Sequence, residues 1–183
     1  MVSSGLKNAF DSPLVIRFRG TFDYDGLIAL IRQYFKRHLF DRKEPKWKHS
    51  GGGGGAEIEF KMEADRKITH YIKAYITIEG HLWGVNPKES VVKGKKIRLT
   101  NGKLELKLSA AYEFDFAGRF ATHGKGVSDK IENAIEKWMQ DFLDKDNYGL
   151  MYQDNKTNGK KYLQKMLLLL SDEIRSFLRM ECN

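Results

Sequence analysis

Between Pro13 and Phe22, Leu14, Ile16 and Phe18 alternate with Val15, Arg17 and Arg19, and this period of two predicts a first strand with at least one buried face. The period then lengthens. Leu27, Ile28, Leu30, Ile31, Tyr34, Phe35 and Leu39 recur every three or four residues, predicting a helix over 25–39 that Asp23 or Asp25 can cap. Its polar side carries Arg32, Lys36 and Arg37. Residues 41–55 contain Pro45 and the consecutive glycines Gly51 to Gly55, which penalise helix and strand alike, so a long, flexible, basic and glycine-rich loop is expected. Ser50 and the glycines after it also have the composition of an engineered linker.

Alternation resumes at Ile58, Phe60 and Met62, set against Glu57, Glu59, Lys61 and Glu63, and Ala64 to Lys67 reads as a turn. A long strand over Ile68 to Trp83 then places Ile68, His70, Ile72, Ala74, Ile76, Ile78 and Leu82 on a core face. Tyr71, Lys73, Tyr75, Thr77 and Glu79 fall on the other. Asn101-Gly102 predicts a two-residue hairpin, because this dipeptide tolerates positive φ at both central positions. The antiparallel partner runs through Leu104, Leu106, Leu108, Ala110, Tyr112, Phe114 and Phe116.

Ser128 can cap a second helix, marked by Ile131, Ala134, Ile135, Trp138, Met139, Phe142 and Leu143, and a longer third helix follows from Tyr162 to Leu178. The order predicts an α+β fold, a mainly antiparallel curved sheet of about five strands packed against amphipathic helices, with a long C-terminal helix. One domain over 1–183 is expected.

Composition narrows the classes. Apolar residues are 41% and aromatic residues 12% of the chain, too many for disorder. The one cysteine, Cys182, excludes an internal disulfide framework and multi-cysteine metal sites, and it points to a reducing compartment. Neither an apolar leader nor a membrane-length apolar run is present, so a cytoplasmic protein is expected.

Candidate chemistry is sparse. His38, His49, His70, His81 and His123 include no pair at the three- or four-residue spacing of two ligands on one helix face, so no metal site is expected. His70 reads as a hydrogen-bonded core histidine. Glu57, Glu59 and Glu63, and likewise Glu113 and Asp115, read as the solvated side of strands, and Asp115 with Arg119 as a structural ion pair. The glycine run lacks the Gly-Lys-Ser/Thr of a phosphate loop, and there is no dinucleotide fingerprint or serine elbow. No cofactor is expected, and the reading leans against an enzyme.

A formal net charge of +8 is the clearest departure from the ordinary. Lys36, Arg37, Arg42, Lys43, Lys46 and Lys48 surround Trp47, a combination that could hold phosphates and stack a base. A second cluster contains Lys93, Lys95, Lys96, Arg98 and Lys103.

The runs Ala56 to Phe60, Arg66 to Lys73, Gly80-His81-Leu82-Trp83 and Asp115 to Phe120 resemble uncharacterised archaeal proteins, which implies an archaeal, intracellular origin and no particular activity. In architecture, a first strand, a helix, a meander and a long terminal helix are similar to the START or helix-grip ligand-binding proteins. That similarity implies an apolar cavity under the last helix, lined by Phe60, Ile72, Ile76, Leu106, Tyr112 and Phe114, although the same residues could simply fill a core. The expected function is a non-enzymatic intracellular binding or assembly protein, its partner an apolar ligand or another protein. The alternative is nucleic-acid binding through residues 36–49. Self-association through Tyr71, Lys73 and Tyr75, or through an unpaired sheet edge, would make a homo-oligomer.

Overall fold

The computed structural model describes residues 6–52, 55–68, 72–92, 95–114, 116 and 159–179. Strands Leu6–Asn8 (β1) and Leu14–Phe22 (β2) precede helix Tyr24–Arg37 (α1). Strands Asp41–Gly52 (β3), Gly55–Lys67 (β4), Ile72–Val92 (β5) and Lys95–Phe114 (β6) follow, and helix Gly159–Phe177 (α2) comes last. The class is α+β. The strands form one six-stranded sheet in the order β1-β6-β5-β4-β3, with β2 also along β6, and every pairing is antiparallel. The sheet is curled and not closed.

Period two sets its two faces. Ile58, Met62, Ile76, Ile78, Leu82, Leu104, Leu106 and Leu108 are buried on the inner face, where the register places Met62 against Ile78 and Leu82 against Leu104. The helices complete this core. The Asp23 carboxylate accepts the Gly26 N–H at 2.8 Å to start α1, Asp25 sits in its first turn, and Lys36 and Arg37 lie in its last. Leu27, Ile28, Ile31, Tyr34 and Phe35 form its buried stripe. On α2, Leu163, Met166, Leu167, Leu170 and Ile174 do the same. The buried Tyr34 hydroxyl donates to the Met166 carbonyl at 2.6 Å, and Arg37 meets Glu173 at 2.7 Å, so the two helices are tied directly. Among the described residues, no helix is long and apolar enough to cross a membrane.

Three local expectations are corrected. Residues 41–52, expected as a loop, are edge strand β3, paired with β4 from Asp41↔Asp65 to Gly52↔Gly55. Pro45 is accommodated because it falls at the register shift between Lys43 and Lys46 on an edge, where its missing N–H breaks no ladder. Second, Ala64 to Lys67 is not a turn; it continues β4, with Ala64 opposite Ile76.

Third, Asn101-Gly102 is not a hairpin but lies within β6, because β5 does not stop at Trp83 and runs on to Val92. The register passes from Trp83↔Lys103 to Asn86↔Asn101, so Gly84 and Val85 together oppose Gly102 as a bulge. Gly84 has φ of 61°, and a Cβ on Gly102 would come within 2.9 Å of the Trp83 carbonyl oxygen. Both glycines therefore belong to the bulge. The helix expected from Ser128 and the Asp115–Arg119 pair lie outside the described residues.

Candidate functional site on the outer face of the sheet

The outer face carries the alternate positions of the same strands. Glu57, Glu59, Lys61, Glu63 and Asp65 come from β4, Lys73, Tyr75, Glu79, His81 and Trp83 from β5, and Lys103, Glu105 and Lys107 from β6. β2 adds Arg17 and Arg19.

Over most of this face the charges are matched. Lys46 meets Glu59 at 2.7 Å, Arg17 and Lys107 meet Glu105 at 2.7 and 3.5 Å, and Lys73 and Lys43 meet Asp65 at 2.9 and 3.4 Å. Hydrogen bonds from Lys46 and Arg17 hold the Glu59 and Glu105 carboxyls below their usual range. Burial works against ionisation of Asp65, but Lys73 and Lys43 outweigh it and its pKa is lowered too. Tyr75 donates to Glu113 while the Lys73 ammonium lies 5.0 Å from the centre of the Tyr75 ring.

The pattern changes at the Trp83 end. The Trp83 ring, half-buried, stacks on His81 with centroids 3.8 Å apart and planes inclined by 26°. His81 Nε2 stands 3.7 Å from a Glu57 carboxylate oxygen, beyond hydrogen-bond reach, and this buried nitrogen has no hydrogen-bond partner among the described residues. Trp83 separates two concavities. One, of about 340 Å³, is lined by Lys46, Glu59, Lys61, Glu79, His81 and Lys107 among others. The second, of about 660 Å³, is lined by Arg19, Glu57, Gly84, Asn101, Gly102 and Lys103 among others. Arg19 and Lys103 are cross-strand partners, both exposed, and neither belongs to an ion pair among the described residues. Like charges set directly opposite one another repel, so an anion bound between them would relieve a standing cost.

The residues singled out from the sequence are distributed differently. Phe60, Ile72, Ile76 and Leu106 share the inner face as closely buried core side chains, and Tyr112 is half-buried against them. Phe114 is placed by its backbone opposite Ile72. Both concavities described above open on the opposite side of the sheet, although Phe60, with Gly80 across from it, also borders the smaller one.

The basic set 36–48 is not one surface. Lys36 and Arg37 end α1, and Arg42 turns to the helix side, where it joins Glu44 at 2.9 Å. Lys43, Lys46 and Lys48 line the outer face. Trp47 stacks on Phe60 with centroids 5.3 Å apart and is half-buried, so its ring is already engaged. Tyr71, His70, His123 and Cys182 lie outside the described residues, among which no group of three metal-ligating side chains occurs.

Sequence reading passed over Arg19, His81 and Trp83 as a group. The available hint was period two across Gly80-His81-Leu82-Trp83, which puts two aromatic rings side by side on a mostly charged face. The chain matches no protein-family model and no curated protein.

Proposed function

We propose that this chain is a non-enzymatic binding protein that holds its partner on the outer face of the sheet, at the Trp83 end. One observation carries the reading: the stacked His81–Trp83 pair stands beside two exposed cations, Arg19 and Lys103, that face each other with no ion-pair partner among the described residues. Aromatic surface next to unmatched positive charge suits a partner that offers both anionic groups and planar or apolar groups.

The chemistry of the neighbouring carboxylates supports binding over acid–base catalysis. Glu59 and Glu105, which line the smaller concavity beside Trp83, are each engaged by a cation that favours the ionised form, whereas a general acid at neutral pH needs the opposite shift.

The test is native mass spectrometry of protein purified at low salt without nuclease, comparing the wild type with Trp83→Ala combined with Lys103→Gln. The wild type is expected to carry bound mass that the double variant loses while its circular dichroism stays unchanged. A variant that keeps the mass places the surface elsewhere, and a wild type that carries none defeats the reading.

A further inference from the structure

One row of side chains crosses the outer face at the Trp83 end. Arg19 lies opposite Lys103, Lys103 opposite Trp83, and Glu57 falls beside Trp83 because its neighbours Ile58 and Ala56 pair with Leu82 and Val85. Neighbouring strands are about 4.8 Å apart, so two cations, an indole and a carboxylate follow one another at that spacing. All of them line the larger concavity, whose volume of about 660 Å³ lies within the range of about 300–1,000 Å³ usual for small-ligand sites. Gly20, Gly84 and Gly102 supply only backbone to its wall, which lets a ligand approach the main chain. His81 lines the smaller concavity and not the larger, so it covers one side of the Trp83 ring and leaves the other turned to the larger.

We propose that the larger concavity binds a free guanine nucleotide, its base stacked on Trp83, its phosphates on Lys103 and Arg19 and its Watson–Crick edge on Glu57. The inference deepens the outer-face reading and rests on it. A base on the open side of Trp83 continues the stack that His81 begins, and phosphates between Arg19 and Lys103 relieve the repulsion of that pair. The far edge then decides the base. Guanine presents two parallel donors, N1–H and N2–H, to the two oxygens of Glu57, whereas adenine sets an acceptor beside its amino group and leaves one oxygen opposed by a lone pair. Glu57 has no hydrogen-bond partner of its own among the described residues, since His81 Nε2 stands 3.7 Å away. The occupant is a nucleotide and not a strand, because the lysines further along the face, Lys46, Lys61 and Lys107, are each held by a carboxylate and offer no track for a continuous backbone.

The experiment is isothermal titration calorimetry of the full chain with GDP, ADP, guanosine and a single-stranded RNA of mixed sequence. GDP is expected to bind about tenfold or more tightly than ADP, and likewise than guanosine, the weight of a charge-assisted contact in each case. Glu57→Gln should erase the margin over ADP, because its amide turns a donor toward the donors of guanine. Arg19→Gln with Lys103→Gln should erase the margin over guanosine, and Trp83→Ala should weaken GDP by at least about fivefold. Glu57, Arg19 and Lys103 are exposed, so their variants test the site even if Trp83→Ala fails to fold.

Equal affinity for GDP and ADP, or a Glu57→Gln variant that keeps the preference, overturns the guanine assignment. RNA binding far tighter than GDP overturns the free nucleotide. So does failure to bind any of these ligands, and the mass measurement above then still decides the outer face. If the Trp83→Ala and Arg19/Lys103 variants both keep full affinity for GDP, the site is overturned and nucleotide binding does not belong to the outer face.

Discussion

A methyl group on Gly80 would come within 2.2 Å of the ring of Phe60, its cross-strand partner. The ring has little room to withdraw, since Trp47 stacks on it and Tyr24 meets it edge-on with centroids 6.3 Å apart. Gly80→Ala is therefore expected to destabilise the fold by about 2 kcal/mol, the usual cost of overpacking, read from the denaturant midpoint. Combining it with Phe60→Leu should cost less than the two single changes summed; simple additivity would show that the ring and the glycine are not coupled.

Glu44 supplies a second test at the same scale. It accepts from Arg32 Nε at 2.9 Å and Nη2 at 2.7 Å, and this hydrogen bonding holds its carboxyl below the usual range. A depressed carboxylate stabilises the fold above its unfolded pKa of about 4.3, and that contribution is lost as pH falls through the lower folded value. Wild type should thus melt higher than Glu44→Gln at pH 7, with the gap closing below about pH 4. The same gap at both pH values would remove Glu44 from the account.

At the scale of elements, helix α1 ends in a way its composition does not favour. The Phe40 N–H reaches back to the Phe35 carbonyl at 2.9 Å, and this requires Leu39 between them to take φ of 58°. The left-handed region costs a side-chain-bearing residue about 1 to 2 kcal/mol, and Leu39 is 72% exposed, so it recovers little by packing. Leu39→Gly should stabilise by about 0.5 to 1 kcal/mol after the greater chain entropy of glycine is deducted, raising Tm by a few degrees. Leu39→Ala should not, and equal melting of both variants would sink the explanation.

The residues that made the elements legible are those whose periodicity was also their burial. Ile58, Phe60 and Met62, or Leu27, Ile31 and Tyr34, could be placed from sequence because the repeat and the core coincide. Gly51 and Gly102 were misleading for the opposite reason. Local propensity assigns them to loops and turns, but long-range pairing decided the outcome, with Gly51 against Ala56 in a ladder and Gly102 beneath a bulge formed by residues far along the chain. The candidate site suffered similarly: Arg19 and Lys103 are cross-strand neighbours only because β2 lies on β6, a strand order that no local pattern encodes.

For the whole molecule, that strand order divides the long β5–β6 pair into two environments. Residues 74–82 and 104–110 are flanked by other strands, and their inner side chains are buried in the core shared with both helices. Beyond Leu99, among the described residues, the ladder has only its own two strands, and an isolated two-stranded pair is marginally stable in water. The two parts should open separately even though they share an unbroken pair of chains. Native-state hydrogen exchange is expected to show amides at 88–92 and 95–98 exchanging orders of magnitude faster than those at 76–80 and 106–108. Protection that is uniform along both strands would mean that the two-stranded end and the body unfold as one unit, which would leave the bulge at Gly84 without a role as a mechanical boundary.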